Sequence, residues 1–353
     1  MKKVLKILLI LVLVIVLGVG GLLGWLTATE FDPASIEAAD VVRAGDVDMI
    51  KPGETLKVLS WNVGYAGLGK AEDFFMDGGT RSKPDSRDTV QCYLGGISAS
   101  IEETGADLVL LQEVDINSSR TYSIDERGFL DGGMSCKSYA LNYSCPFVPV
   151  PVPPIGKVNS GLYTMTDDLQ IARAERHSLP CPFSWPLRIA NLKRCLLVNY
   201  LPIEGSNKQL VLVDLHLEAY DSGEGKIAQT RQLMGFLEDE YLKGNYVIAG
   251  GDFNQIFPGG LETYPNTHPE LWTPGLLEEE SLPEGFRYLF DLSVPSCRLL
   301  NQPYDPSDAA NTQYYVIDGF IVSPNVTVES VEGLDLGFEN SDHNPVLISV
   351  ALG

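Results

Sequence analysis

The chain has 353 residues, 44% of them hydrophobic, enough for one large domain or two small ones and a core that needs no covalent staples. Its 47 acidic residues outnumber 25 basic ones, a formal charge of −22, and Lys2, Lys3 and Lys6 all precede the first acid, Glu30. A protein that holds nucleic acid by neutralising phosphates needs a basic footprint, and this composition lacks one, so stable duplex binding is not expected.

From Val4 to Leu26 an apolar run is broken only by Lys6 and four glycines. As a helix it would span ~34 Å, against ~30 Å for a bilayer core. A cleaved signal peptide is the alternative, which would leave a secreted protein. Its apolar stretch is usually only ~7–15 residues, and Thr27-Ala28-Thr29 is a poor cleavage site. The leading lysines put the N-terminus in the cytoplasm and the remainder outside. The chain therefore divides into a cytoplasmic stub and anchor (1–29), an acidic spacer with Pro33 and Pro52 (30–55), and a folded domain (56–353).

Leu56–Val63 and Asp107–Val114 read as buried strands. Between them Val90, Leu94, Ile97 and Ile101 recur at helical spacing after a candidate Asp88 cap, with Gly95-Gly96 weakening the helix. The prolines between 146 and 154 make 115–160 an extended surface insertion. Strands resume at Ser160–Met165, Arg194–Pro202 and Gln209–Leu217, followed by a helix with Ile227, Met234, Leu237 and Tyr241 on one face. Tyr246–Gly251 is the next buried strand. After a loop over 255–290, the chain closes with Tyr314–Val322, Val326–Val331 and Pro345–Leu352. Most neighbouring strands lack a helix between them, which favours two packed mixed sheets with helices outside. The six cysteines allow bridges, Cys136 with Cys145 and Cys181 with Cys195 first, or free thiols; their spacing does not suit zinc.

Four segments put carboxylate, carboxamide or imidazole at the end of apolar runs: Trp61-Asn62-Val63, Gln112-Glu113-Val114, Gly251-Asp252-Phe253-Asn254 and Ser341-Asp342-His343-Asn344-Pro345. Strands ending this way concentrate oxygen ligands at one sheet edge, the chemistry that hard divalent cations such as Mg²⁺ prefer. Taken singly, Glu113 is a loop acid or a ligand, Gly-Gly-Asp a turn or a site, and His216 more often a satisfied core histidine. Asp318 lies within an apolar strand and needs a partner, for which an imidazole is suited. Arg120 and Tyr122 are candidate phosphate contacts, and Asn159 a weaker one. The loop Gly64–Lys83, with Phe74-Phe75-Met76, and the proline-rich insertion are either pocket walls or surface loops.

Together and in this order, the segments from Leu56 to the C-terminus resemble the endonuclease/exonuclease/phosphatase superfamily. The resemblance implies an α/β fold of four layers, α/β/β/α, as in DNase I, behind the N-terminal transmembrane helix. It also implies a hydrolase of phosphoester bonds that uses Mg²⁺, with Mn²⁺ as a substitute. On that pattern Glu113 is the principal metal ligand, with Asn62 and Asp342 nearby, and His343 is the base that Asp318 orients. Asp252 positions the nucleophile, Asn254 binds the phosphate, and His216 matches a second histidine of the DNase I and sphingomyelinase branches. The expected protein is a membrane-anchored extracytoplasmic phosphoesterase acting on a lipid headgroup or small phosphoester. A secreted-side nuclease and a non-catalytic binding module on the same fold are the alternatives.

Overall fold

The computed structural model describes residues 1–353, the side chains of residues 309 and 310 excepted. Two seven-stranded sheets pack face to face. The first runs, edge to edge, through Ile36–Ala39, Arg173–Ser178, Cys195–Pro202, Gln209–His216, Tyr246–Asp252, Asp318–Val322 and Arg287–Leu289. The second runs through Val326–Gly333, Val346–Leu352, Thr55–Asn62, Leu108–Asp115, Gly156–Thr166, Cys136–Val148 and Val41–Arg43. Side chains such as Leu110, Leu212, Ile248, Phe320 and Ile348 fill the space between the sheets and are inaccessible to solvent.

Each sheet holds one parallel pair joined by a helix crossover, and that shared plan creates the outer layers. Thr55–Asn62 lies parallel to Leu108–Asp115 after the helix Arg87–Thr104, and Gln209–His216 lies parallel to Tyr246–Asp252 after the helix Glu224–Leu242. Val90, Leu94, Ile97 and Ile101 pack the first helix on the outer face of its sheet, and Leu233, Met234 and Leu237 pack the second. The result is a four-layer α/β/β/α sandwich. Carboxyl ends of parallel strands collect ligands because the chain leaves the sheet there; Asn62, Glu113, His216 and Asp252 lie in the last residues of these four strands.

Several elements differ from the sequence reading. Ser86, not Asp88, caps the first helix by accepting from Thr89 N–H, because it stands just outside the first turn. Ile227 points to solvent, 59% exposed, and Leu233 takes its place on the buried face. Over 136–148 the surface insertion is instead a 13-residue strand paired with Gly156–Thr166. The prolines are confined to the turn and to Pro146, which sits where the ladder is bulged between Cys145 and Val148. Tyr314–Val322 breaks in two, so Asp318 is the first residue of the strand Asp318–Val322 rather than lying inside one. Segment 30–55, expected as a spacer, is paired into the domain: Ile36–Ala39 edges one sheet and Val41–Arg43 the other. The six cysteines are free. Cys136 and Cys145 lie along one extended strand, where such a spacing separates them by about 30 Å, far beyond disulfide reach.

One carboxyl in the inter-sheet core yields a stability prediction. Asp214 is fully buried; its Oδ1 accepts from Gln112 Nε2 at 2.7 Å, whereas Asp214 Oδ2 and Gln112 Oε1 have no partner. Burial drives its pKa well above the ordinary value, against the opposing pull of the Gln112 hydrogen bond. A folded-state value above the unfolded one means that the acid costs nothing below about pH 4 and weakens the fold increasingly as pH rises toward the folded value. Asp214→Asn, the same shape without the charge, is expected to stabilise the protein by about 1 kcal/mol or more near pH 8. The gain shrinks toward pH 4, as thermal unfolding at several pH values would register; a gain independent of pH would refute the cause given.

Candidate active site

The strand ends bring eight side chains to one cleft. Asn62 donates from Nδ2 to Asp252 Oδ2 at 3.0 Å and to Glu113 Oε1 at 3.3 Å, while its own oxygen accepts from Gly64 N–H. His216 Nε2 lies 3.4 Å from Asp252 Oδ2 and 3.9 Å from Glu113 Oε1, and its buried Nδ1 has no partner. Asn254 N–H donates to Asp252 Oδ1 at 2.8 Å, and Asn254 Nδ2 donates to Leu217 O. His343 pairs through Nδ1 with Asp318 Oδ2 at 2.8 Å, leaving Nε2 facing Asp342 at 3.8 Å and Asp252 at 3.9 Å. Ser296 Oγ donates to the same Asp318 oxygen at 2.7 Å, and Asp318 Oδ1 is buried without a partner.

Backbone strain marks the same place. Glu113 has φ +60 at a break in the ladder between Leu111 and Val114, a conformation that costs of order 1 kcal/mol or more in a non-glycine residue. It turns the carboxylate away from the alternation of its strand. Tyr65 and Ala66, directly after the Asn62 strand, also have positive φ. The loop carrying His343 is pinned on both sides: Trp61 Nε1 donates to His343 O, Ser341 Oγ donates to Asn62 O, and Asn344 N–H donates to Ser296 O.

The cleft is strongly acidic. Burial, reinforced by Asp318, pushes Asp252 up to about 7, and burial with Glu113 pushes Asp342 up to about 6. Burial opposes charge on His343, but Asp318 and Asp342 outweigh it and raise the imidazole well above its usual range. Burial, with Arg194 and His343 nearby, lowers His216 well below its usual range, so that imidazole is neutral. The neighbouring arginines have partners away from the acids, and the buried Arg194 Nε and Arg298 Nε make no hydrogen bond. Arg120 forms a bidentate pair with Asp115 at 2.9 Å and lies flat on Tyr65; Arg194 Nε is 3.4 Å from Glu218; Arg298 donates to the carbonyls of Leu68, Gly69 and Glu72.

Sequence profile comparison settles the ancestry: that of the Endonuclease/Exonuclease/phosphatase family matches residues 59–343. The chain belongs to this family. As a family member it is a metal-dependent hydrolase of phosphoester bonds. Among solved structures it resembles a family protein from Beutenbergia cavernae DSM 12333, at 17% identity and TM-score 0.56, covering 85% of this chain and 72% of that one. It also resembles the human Nocturnin catalytic domain with bound sulfate, at 15% identity and TM-score 0.52, covering 89% and 97%. A family protein from Bacteroides thetaiotaomicron gives 13% identity and TM-score 0.51, covering 85% and 99%. No curated protein matches.

The donor set suits the divalent cation on which such hydrolases depend. Glu113 and Asp252 flank His216 Nε2, and Asp342 lies with Asp252 at His343 Nε2; among the described residues no arginine or lysine forms a salt bridge with them, and oxygen donors of this kind take hard cations. Glu113 and Asp342 could hold such a cation. Asn62, expected among the ligands, directs its N–H groups at Glu113 and Asp252 and spends its oxygen on Gly64, so it braces the carboxylates.

Two sequence candidates lie elsewhere. Tyr122 donates its hydroxyl to Pro84 O, and Asn159 accepts from Ser144; neither lines the cleft, whereas Arg120 does. Conversely Tyr220, Trp272 and Ser296 escaped the sequence reading, and Asp77 was read only as part of the loop Gly64–Lys83, a pocket wall or a surface loop. Asp77 lines the cleft, accepts from Tyr220 Oη at 3.0 Å, and is pushed by burial to about 7. No apolar run points at these residues; only tertiary packing brings them in.

Proposed function

We propose that the protein is a membrane-anchored, extracytoplasmic, Mg²⁺-dependent phosphoesterase that cleaves a lipid headgroup or small phosphoester by in-line attack of water. The observation that carries the reading is His343, fixed by Asp318 on one nitrogen and open on the other to a cleft containing Asp252, Glu113 and Asp342. A bound cation would be held by Glu113 and Asp342, where it supplies charge neutralisation for the phosphate and the departing oxygen. His343 serves as base in its neutral form, in which Nδ1–H donates to Asp318 and Nε2 is the accepting atom. Asp252 aligns a water beside Nε2 of His343, and the proton moves to that nitrogen as the water oxygen bonds to phosphorus. The ester P–O bond breaks opposite, and the leaving oxygen takes a proton from solvent. Neutral His216 and the second Nδ2 hydrogen of Asn254 are placed to donate to the non-bridging oxygens, where charge grows.

The helix Lys2–Ala28 is long and apolar enough to span a membrane or to serve as a signal sequence. Leu26, buried among Tyr143, Val148, Ile155 and Ile189, and Thr27, which accepts from Trp185 Nε1, lie before Ala28 and would be lost on cleavage, which favours an anchor that remains attached. The acidic chain, and the contacts that Arg120, Arg194 and Arg298 make with Asp115, Glu218 and the Gly69 carbonyl, favour this reading over the nuclease alternative.

The test uses the full chain in detergent with bis(p-nitrophenyl) phosphate and Mg²⁺. Hydrolysis is expected to stop on chelation and to fall at least ~100-fold in Glu113→Gln. Turnover that survives both chelation and Glu113→Gln would sink the proposal.

A further inference from the structure

The cleft does not end at the catalytic acids. It continues past Phe74, Phe75 and Met76 to a second wall formed by Val148–Val150 and Leu187–Leu192, and closes against Leu23 and Leu26 of the N-terminal helix. One space of ≈ 460 Å³ is thus lined at one end by groups suited to a phosphate and along the rest mainly by hydrocarbon. The helix end is a fixed part of that wall. Leu26, 3% exposed, packs with Tyr143, Val148, Ile155 and Ile189. Trp185 Nε1 donates to Thr27 Oγ1 at 3.1 Å, and Glu30 pairs with Lys193 at 2.8 Å and Arg188 at 3.1 Å.

Around this junction apolar side chains face outward. Val150, Val152, Trp185 and Leu187 are each more than half exposed, Val152 at 93%. An apolar rim next to a membrane-length helix is costly in water and favourable in the interfacial layer of a bilayer. Tryptophan is enriched at that depth. With the helix inserted, the rim would rest on the lipid surface and the open side of the cleft would face the acyl region.

Resting on the phosphoesterase reading above, we propose that the substrate is an amphiphilic phosphoester drawn directly from the bilayer. Its phosphate lies among Glu113, Asp252 and His343, and its hydrocarbon chain runs along Phe75, Val148 and Ile189 against Leu26, so that the anchor helix is itself a wall of the substrate site. Raising a lipid headgroup to a site above the membrane ordinarily exposes methylenes to water, and each one kept dry is worth about fourfold in preference. A continuous apolar wall from the bilayer to the phosphate site removes that cost. A short-chain ester gains nothing from it.

The experiment reconstitutes the full chain in phosphatidylcholine vesicles with Mg²⁺ and compares p-nitrophenyl dodecyl phosphate with p-nitrophenyl ethyl phosphate. Expected is a preference of roughly 100-fold for the dodecyl ester in kcat/KM. In Val150→Glu combined with Leu187→Glu, both at exposed positions, that ratio is expected to fall at least tenfold. Because partitioning alone enriches a long-chain ester, a second readout uses a phosphatidylcholine with a diazirine at the end of its acyl chain. Illumination is expected to label Phe75 or Ile155 inside the cleft. Equal turnover of both esters, or labelling confined to the outer face of the N-terminal helix, overturns the inference and leaves the phosphoesterase reading standing. No turnover of either ester removes that reading and this inference with it.

Discussion

Replacing His343 with glutamine is expected to lower kcat on bis(p-nitrophenyl) phosphate by about 10²–10⁴-fold, the range for loss of a positioned general base. Glutamine is chosen because its amide can still donate to Asp318, whose Oδ2 otherwise keeps only the Ser296 hydroxyl in a buried setting. It cannot take a proton from water. A loss of activity without a loss of thermal stability therefore reports proton transfer and not collapse of the pocket. Asp318→Asn asks the complementary question: it leaves the imidazole in place but replaces the carboxylate that orients it and favours its charged form, so kcat should fall while substrate affinity holds. Full activity in His343→Gln would remove the base from the mechanism.

The reason His343 was visible in the sequence also explains what was not. Asn62, Glu113, Asp252 and Asp342-His343 each stand at the junction of an apolar run and a turn, and the carboxyl ends of the two parallel pairs lie at the same edge as the start of the antiparallel strand Val346–Leu352. Short-range pattern thus foretells their convergence. Glu113 shows the limit even there. That a carboxylate ends the strand is legible, whereas the positive φ and ladder break that turn it into the cleft are not. Tyr122 and Asn159 sit near the right strands in sequence, yet their side chains serve loop carbonyls and hydroxyls. The sequence offered the loop with Phe75 and the proline-rich insertion with Val148 as pocket walls or surface loops without deciding between them, and it did not join them to Ile189 and Leu26, because these four segments share no common period. Proline density over 146–154 led to the reading of 115–160 as an extended surface insertion and hid the strand before it, whose inward residues Ser138, Ala140 and Asn142 carry too few large apolar groups to advertise it.

Gly251→Ala is expected to destabilise the protein by about 3 kcal/mol or more, far above the effect of an ordinary surface change. Gly251 has φ +153, and a Cβ there would lie 1.9 Å from the carbonyl oxygen of Leu215 on the neighbouring parallel strand. Backbone cannot swing aside as a flexible side chain can, so the pair Gln209–His216 and Tyr246–Asp252 must separate or shear. That pair sets His216 opposite Asp252, the register behind their 3.4 Å approach. The strain therefore falls on fold and site together, and activity should drop by more than the folded fraction accounts for. Gly95→Ala is the control: Gly95 lies inside the helix Arg87–Thr104, nothing is within 4 Å of its added Cβ, and removing glycine entropy there should stabilise by about 0.5–1 kcal/mol. Denaturant midpoints moving in opposite directions for the two alanines would tie the glycine at 251 to close strand approach. A Gly251→Ala midpoint equal to the parent's would show that the strands have slack, and that the spacing of His216 and Asp252 is set by something other than their backbone.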